Sequence, residues 1–271
     1  MKTLSAFVVS SSKYARSIGM LSSSSSSMTS LVTMATTPRN TIPEGFGKLF
    51  ITGATVGPLV DSLHNQCLLE YDRAPIHLFS SSNGNYLLET SWFIPPLLGI
   101  AYVVLGGILP RLFQYFSPTT TTSTNSRVPD MEQLNEIGLR NKALLAILST
   151  AMIIKLSEYL QISTFGSEDM NLSLMSITAL CQWLILDRTI PALLIGILTA
   201  IGGPLSELPF VANGFWHYIP SAANYYPLDT ILANNDTLHL ALSSITGPCY
   251  FAVTMDAIAL GRYFSIPSQK E

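Results

Sequence analysis

Four acidic side chains interrupt otherwise apolar stretches of the sequence: Asp61, Glu158, Glu207 and Asp256. An ionisable group at membrane depth is stable only when it faces a protein interior or a cavity, so these residues are candidates for a proton or ion relay. His64 follows Asp61 by three residues, and Lys155 precedes Glu158 by three, spacings that place each pair on one helical face. A structural pair at Asp61, snorkelling at Glu158 and an interfacial position for Glu207 are the alternatives.

The sequence lacks the motifs of the common enzyme classes. It contains no GxSxG elbow, HExxH pair, Walker loop or dinucleotide-binding glycine pattern. The four histidines have no ligand spacing, and Cys67, Cys181 and Cys249 lie far apart without a CxxC pattern. These cysteines form neither a metal site nor an evident disulfide set, and Cys181 and Cys249 are expected to be small buried apolar residues. We predict a protein that is not an enzyme and has no metal or cofactor.

Long apolar runs must position these acids. A spanning helix needs about 20 mostly apolar residues, because it rises ~1.5 Å per residue across a hydrocarbon layer ~30 Å thick. The predicted spans are Phe46–Leu69, Thr90–Phe116, Ile137–Ile162, Leu172–Leu186, Ile190–Val211 and Leu238–Phe264. Only a tight charged turn at Asp187 and Arg188 separates the fourth span from the fifth. We therefore predict an all-α, polytopic bundle of six transmembrane helices, with a buried hairpin in a large soluble helical protein as the alternative.

Composition agrees with a membrane protein. Charged residues make up 11% of the chain and hydrophobic residues 48%, and the mean hydropathy is +0.38. Few soluble proteins have this balance. The net charge of −3 and the lack of a long basic run exclude a typical nucleic-acid-binding protein. We therefore predict that the membrane lipid bilayer is one partner of this protein.

The first 43 residues differ from the rest. They contain basic but no acidic residues, and serines run from Ser22 to Ser27. This composition is typical of a transit peptide or a disordered tail. We predict a disordered leader at residues 1–43, a six-helix domain at residues 44–265 and a short polar tail at residues 266–271.

Four motifs resemble the Insig (insulin-induced gene protein) family. Thr90-Ser-Trp-Phe-Ile-Pro-Pro-Leu-Leu-Gly99 is similar to that family's Ser-x-Trp-Trp-Val-Pro-Pro-x-x-Gly, and Trp183-Leu-Ile-Leu-Asp187-Arg188 to its Trp-Trp-Thr-Phe-Asp-Arg. Asn213-Gly214-x-x-x-Tyr218 matches the spacing of a third motif, and Pro248-Cys249-x-Phe251 resembles the start of its last span. Each motif is weak, but the four occur in the family's order. The chain resembles a distant plant or algal member.

The resemblance implies an endoplasmic reticulum membrane protein with a central cavity that holds an oxysterol. It also implies polytopic membrane partners, which in animals are the sterol-sensing escort SCAP and HMG-CoA reductase, and thus a role in cholesterol and lipid metabolism. Asp187 falls on the family's partner-binding acid, with Arg188 beside it. The leader additionally admits a plastid or mitochondrial address, so a chloroplast membrane is the alternative location.

Two functions follow as hypotheses. The first is a non-catalytic sterol- or lipid-sensing adaptor, whose candidate pocket residues for an oxysterol-like or isoprenoid ligand are Trp92, Pro95, Trp183, Glu207, Trp216 and Phe251. The second is an organellar membrane protein that transports or modifies a lipid or isoprenoid, with Glu158, Glu207 and Asp256 as its ionisable set. A pocket that holds two of those acids favours the second hypothesis, whereas a dry apolar cavity favours the first.

Overall fold

Six helical rods dominate this computed structural model, which describes residues 44–80, 86–116, 136–163, 166–227 and 240–266. The described residues belong to one compact unit, Ile42–Glu271. The rods are α1 Glu44–Leu68, α2 Ile94–Val103 continuing through a π-helical turn, Val104–Ile108, into α3 Leu109–Phe116, then α4 Glu136–Ile162, α5 Glu168–Leu186, α6 Ile190–Ala212 and α7 Thr246–Phe264. The predicted leader at residues 1–43 and the tail after residue 266 lie outside the described residues.

Four of these rods are long and apolar enough to cross a membrane. They are Ile94–Phe113, Glu136–Ile162, Glu168–Leu186 and Ile190–Ala212, judged over the described residues. Large apolar side chains point outward from α5 and α6, among them Ile177, Ile185, Leu198 and Ile201, as expected of helix faces that contact lipid. The predicted helical membrane fold is confirmed. The number of six spans stays a prediction, because α1 and α7 are not in this group.

The last helix, α7, occupies the centre of the bundle. It contacts α1, α2, α4, α5 and α6, and thirteen of its nineteen residues are buried. A helix surrounded by protein can carry polar groups that a lipid-facing helix cannot, because neighbouring helices satisfy them. Asp256 of α7 is 2% exposed and accepts a hydrogen bond of 2.6 Å from the Tyr102 hydroxyl of α2.

Glycines allow two close helix contacts. Gly53 of α1 lies so near α2 that an added Cβ would approach the Leu98 carbonyl oxygen to 2.6 Å, and small residues at a helix interface permit such an approach. Gly106 in the π-helical turn meets Gly261 of α7, and a Cβ on Gly261 would collide with the Gly106 carbonyl oxygen. Only glycine permits the backbones to approach this closely.

Four short strands correct the purely α-helical prediction. They are β1 Leu69–Tyr71, β2 Pro75–Ser80, β3 Tyr86–Ser91 and β4 Trp216–Tyr218. β2 and β3 form an antiparallel hairpin in the segment that links the first two predicted spans. β1 pairs antiparallel with β4, with Leu69 opposite Tyr218 and Tyr71 opposite Trp216. This second pair joins the end of α1 to the chain that follows α6.

Two helix starts differ from the predicted spans. α5 begins at Glu168 rather than Leu172, because Ser167 caps it by accepting a hydrogen bond from the Met170 amide. α7 begins at Thr246 rather than Leu238. The residues just before it are not helical, and Leu242 instead forms a β-bridge with Tyr225.

Candidate functional site

A cavity of about 220 Å³ lies among α1, α2, α6 and α7, next to the β1–β4 pair. Its wall residues come from segments that are far apart in the sequence. They are Asp61, His64, Asn65, Leu68, Leu69, Tyr71, Ile94, Leu97, Leu98, Ala101, Ile154, Ser206, Glu207, Phe210, Trp216, Tyr218, Thr246, Cys249, Tyr250 and Val253. Most of these side chains are apolar, and the polar ones fall into two groups. The cavity is therefore amphipathic.

The first polar group centres on Glu207, which is 8% exposed. Its Oε2 accepts hydrogen bonds from the Tyr218 hydroxyl at 2.7 Å and from the Trp216 indole N–H at 3.3 Å. Its Oε1 accepts one from the Tyr250 hydroxyl at 2.8 Å. Burial, followed by the Glu207 charge, raises the pKa of Tyr218 well above its ordinary value, so this phenol keeps its proton and acts as a donor. A buried carboxylate with three donors is well satisfied.

Local sequence explains how this group forms. Pro204 and Pro209 flank Glu207 within α6. The chain then turns at Gly214, whose φ of +65° suits glycine, and returns as β4. In that strand Trp216 and Tyr218 point to the same face, since side chains alternate along a strand. Tyr250 arrives from α7 and completes the set.

The second polar group, which we call the His64 cluster, consists of Asp61, His64, Asn65, Tyr71 and Ser157. Asn65 donates hydrogen bonds of 2.8 Å to both Asp61 Oδ2 and the Tyr71 hydroxyl. His64 Nδ1 lies 2.7 Å from the Ser157 hydroxyl, and His64 Nε2 lies 3.5 Å from Asp61 Oδ1. Asp61, His64 and Asn65 occupy neighbouring turns of one face of α1, so their spacing brings them to the cavity together.

Side chains of α2 and α6 form an apolar part of the cavity wall. Leu97, Leu98 and Ala101 line it from α2, and Phe210 lines it from α6. Ser206, which also lines the cavity, is an exposed residue. The cavity wall therefore reaches the surface of α6, which is a candidate membrane span.

Only part of the predicted pocket set lies at this cavity. Glu207 and Trp216 line it. Trp92 is 71% exposed, and Pro95 is half-buried in the first turn of α2. Trp183 donates a hydrogen bond to the Thr189 carbonyl at 3.0 Å, and the buried Phe251 packs against Gly196 of α6. These four side chains are not among the residues that line this cavity.

The predicted ionisable residues are also divided among separate sites. Asp61 lines the cavity together with Glu207, whereas Glu158 pairs with Lys155 and Asp256 bonds to Tyr102. The cavity therefore holds one member of the proposed set Glu158, Glu207 and Asp256. Among the described residues, no group of three His, Cys, Asp or Glu side chains is placed to hold a metal ion.

The turn between α5 and α6 is stabilised by Asp187. This carboxylate is buried, forms an ion pair with Arg262 of α7, and accepts a hydrogen bond of 2.9 Å from the Thr189 amide at the start of α6. Thr189 in turn caps α6 at the Ala192 amide. Arg188 projects outward with a φ of +64°. The predicted tight charged turn is present, with its acid inside and its cation outside.

Several cavity residues were missed by reasoning from the sequence. Tyr218 was noted only for its spacing, and Tyr250 and Asn65 were not singled out. Tyr250 is 43 residues from Glu207, and no periodicity in the sequence relates two residues on different helices. Asn65, one residue after His64 and four after Asp61, did carry a detectable signal. Three polar residues within one apolar span mark a polar face.

Comparisons with known proteins agree with this architecture. A family profile described as insulin-induced protein (INSIG) matches residues 46–258, although no curated protein matches the chain significantly. The crystal structure of MvINS, an Insig homologue from Mycobacterium vanbaalenii, aligns with a TM-score of 0.56 at 18% identity. A cross-linked MvINS trimer aligns with the same score at 17% identity, and each alignment covers 84% of this chain and 96% of the other.

At this identity the structural matches establish the shared fold, and the profile match extends over most of the described residues. The Insig family consists of non-enzymatic membrane regulators, which agrees with the prediction that this chain is not an enzyme. The chain is a member of the Insig family.

Proposed function

We propose that this protein is a non-catalytic lipid-sensing adaptor that binds a sterol-like or isoprenoid molecule in the α1–α2–α6–α7 cavity. The observation that carries the proposal is the amphipathic wall. Apolar side chains of α2, α6 and α7 share the cavity wall with the polar groups around Glu207 and His64. Ligand sites typically combine an apolar lining with a few polar groups that orient the ligand. A lipid with one hydroxyl or carbonyl group fits this division.

The cavity volume indicates how such a ligand is held. Sites for drug-sized molecules occupy about 300–1,000 Å³, and this cavity measures about 220 Å³. A sterol-sized ligand is therefore only partly enclosed. Its polar end lies near Asp61 and Asn65, and the rest extends between α2 and α6 towards the lipid. Glu207 orients the wall rather than the ligand, since three protein donors already occupy its oxygens.

Signalling follows from the position of the ligand between two helices. A lipid that wedges between α2 and α6 favours one spacing of these helices over another. It shifts the population of states only by its difference in affinity for them. α6 also begins at the Asp187 turn, so a change in its tilt alters the surface near Arg188. The lipid site and this surface are thus connected by one helix.

For partner binding we assign different roles to Asp187 and Arg188. The buried Asp187 fixes the turn through Arg262 and Thr189, whereas the exposed Arg188 is available for contact. The partner is a polytopic membrane protein, SCAP-like or HMG-CoA-reductase-like. Loss of Asp187 then abolishes partner binding because the turn is released. Arg188→Ala weakens partner binding but leaves the turn folded. Capture of a tagged partner from detergent extracts measures both effects.

A cavity-filling variant tests lipid binding. Ala101→Phe on α2 fills the space beside Leu98, and Ile100→Phe is its matched control because Ile100 is 55% exposed on the same helix. We expect Ala101→Phe to lose binding of a photoreactive hydroxysterol and of a photoreactive isoprenoid in nanodiscs, while Ile100→Phe retains it. Thermal unfolding of both variants checks their folding. Equal labelling of the two folded variants would refute binding at this cavity.

The membrane in which the protein resides depends on the function of the leader at residues 1–43. We propose the endoplasmic reticulum membrane, with a chloroplast membrane as the alternative address. Fluorescent fusions of the full chain and of a version starting at Ile42 separate the two. A reticular pattern for both supports the adaptor in the endoplasmic reticulum. Plastid targeting that requires residues 1–41 favours the second function, an organellar protein that transports or modifies a lipid or isoprenoid.

A further inference from the structure

Six polar residues of the cavity wall already donate their side-chain hydrogens to groups within the protein. They are Asn65, Ser206, Trp216, Tyr218, Thr246 and Tyr250. Asn65 gives one hydrogen to Asp61 and the other to the Tyr71 hydroxyl. The Ser206 and Thr246 hydroxyls each donate to a backbone carbonyl at 2.6 Å, and the three aromatic donors bond to one carboxylate. A ligand that brings only acceptors therefore finds these hydrogens already used.

His64 and Tyr71 add little donor capacity to the wall. The Ser157 hydroxyl donates to a backbone carbonyl at 2.7 Å, so it accepts the hydrogen of His64 Nδ1, 2.7 Å away. His64 Nε2 lies 3.5 Å from Asp61 Oδ1, so a hydrogen on Nε2 lies beside that carboxylate. Tyr71 is 6% exposed, and its oxygen accepts the hydrogen bond from Asn65. The wall is thus poor in hydrogens that a ligand could accept.

The cysteines do not change this balance. Cys249 lines the cavity and is buried, as predicted, but a thiol is only a weak donor. Cys181, which the sequence predicted to be buried, is exposed on α5, and Cys67 is half-buried on α1. Neither is among the residues that line the cavity.

Acceptor capacity remains at Asp61. Its Oδ2 accepts a hydrogen bond from Asn65, and its Oδ1 lies 3.5 Å from His64, which is longer than a normal hydrogen bond. The Asp61 side chain lines the cavity and is 32% exposed. Because a carboxylate offers about four lone-pair sites, Asp61 can accept further hydrogens. This part of the wall suits a ligand that donates.

The charges of the wall favour the same kind of ligand. Asp61 and Glu207 are its acids and His64 is its imidazole, and the described wall residues include no lysine or arginine. His64 can offset only one of the two carboxylates, so the wall is not positive when both acids are ionised. A cationic lipid gains a hydrogen bond between ionised groups, which is stronger than a neutral one. An anionic lipid gains no such bond from a lysine or arginine of this wall.

We propose that this cavity prefers lipids whose polar end is a protonated amine, and that Asp61 is the residue that selects them. An alkylammonium group donates three hydrogens, an alcohol donates one and a ketone donates none. Binding therefore weakens in the order amine, alcohol, ketone, and a lipid carboxylate binds least. This inference rests on the proposed function, because the cavity must admit a lipid, and it specifies the polar group of that lipid.

The test uses the full chain in phosphatidylcholine nanodiscs at neutral pH. Photoreactive octadecyl lipids that end in an amine, an alcohol, a methyl ketone or a carboxylate are the probes, and labelling that Ala101→Phe removes defines the cavity-bound fraction. We expect the amine to bind about tenfold more tightly than the alcohol, as a charge-assisted hydrogen bond exceeds a neutral one. Asp61→Asn should weaken amine binding about tenfold and strengthen ketone binding, because its amide can donate. A purely structural role of Asp61 would weaken binding of all four probes alike.

Two variants serve as controls. Glu158→Gln is the matched control, because Glu158 pairs with Lys155 and is not among the residues that line the cavity; it should leave the order of the probes unchanged. Asp61→Glu keeps the carboxylate and should keep the preference for the amine. Thermal unfolding checks that each variant is folded.

The outcomes separate this inference from the proposed function. Cavity-bound labelling that is as strong with the ketone or the carboxylate as with the amine, or an order that Asp61→Asn leaves unchanged, overturns the inference and leaves the adaptor standing. Amine labelling that depends on Asp61, without labelling by the hydroxysterol or the isoprenoid, supports the inference and refutes the sterol-like or isoprenoid ligand. Labelling by every probe that Ala101→Phe does not reduce overturns both.

Discussion

Replacing Glu207 tests whether its carboxylate organises the cavity wall. Three donors, from Trp216, Tyr218 and Tyr250, converge on its two oxygens. Glu207→Leu leaves all three without their acceptor at a site that is 8% exposed. An unsatisfied buried donor costs about 1–3 kcal/mol. The bond from Trp216 is long and Tyr250 is only partly buried, so we expect a total loss of about 3–6 kcal/mol rather than the full sum.

The isosteric variant separates shape from hydrogen bonding. Glu207→Gln can place its carbonyl oxygen where Oε2 accepts two hydrogen bonds, while its amide donates to the Tyr250 oxygen. The charge is lost and the Tyr250 hydroxyl loses its acceptor, so we expect a destabilisation of about 1–3 kcal/mol. Adding Tyr218→Phe to Glu207→Leu should then recover stability, because it removes an orphaned donor. In wild type the same Tyr218→Phe change should destabilise.

Thermal and denaturant unfolding in detergent measures these variants, with exposure of the buried Cys249 thiol as the signal. The double-mutant cycle between positions 207 and 218 gives the coupling directly. A Glu207→Leu variant within about 1 kcal/mol of wild type would be below the penalty for one orphaned donor and would refute the reasoning. So would a Tyr218→Phe change that destabilises equally in both backgrounds.

Three further predictions concern packing, charge and pH. Gly261→Ala should destabilise by about 1–3 kcal/mol through overpacking against Gly106, as measured by unfolding in detergent; no change would show that the helices can separate freely. Asp187→Asn should abolish partner capture while the protein stays folded, because the Arg262 side chain that loses this ion pair is partly exposed; intact capture would contradict this. Burial raises the pKa of the Glu89 carboxyl above its ordinary value of 4.5. Between the unfolded-state pKa and the raised folded-state pKa, the folded state binds more protons than the unfolded state. The stability therefore falls as the pH rises through this range. Glu89→Gln should remove this fall, and an unchanged pH profile would refute it.

Apolar runs made most of the helices predictable, because a lipid-facing helix must be apolar over a fixed length. The hairpin of β2 and β3 was not predictable in this way. Its strands, six residues each, lie between the first two long apolar runs, where hydropathy predicts no element. The π-helical turn was not predictable either, since about one extra residue per turn changes no composition. In the structure this turn brings Gly106 against Gly261 of α7.

The site was predictable only where its residues are neighbours in the sequence. Glu207 and Trp216 stand nine residues apart, and both were predicted as pocket residues. The meeting of Glu207 with Tyr250 depends on how α6 and α7 rotate about their axes. An apolar pattern constrains that rotation weakly when the helix is buried all round. Trp92 and Trp183 were selected for residue type, and packing directed them elsewhere.

The β1–β4 pair has a consequence for biogenesis. It joins residues on either side of four helical rods, α2–α3, α4, α5 and α6, and the contact of Asp72 with His217 spans 145 residues. At about 5–20 residues per second, a ribosome needs roughly 7–30 s to produce that separation. During this interval the end of α1 lacks its strand partner, and the central helix α7 has not yet been made. The polar residues of α1 must then remain near water or a chaperone, so the nascent chain is most vulnerable to quality control before its final helix enters the bundle.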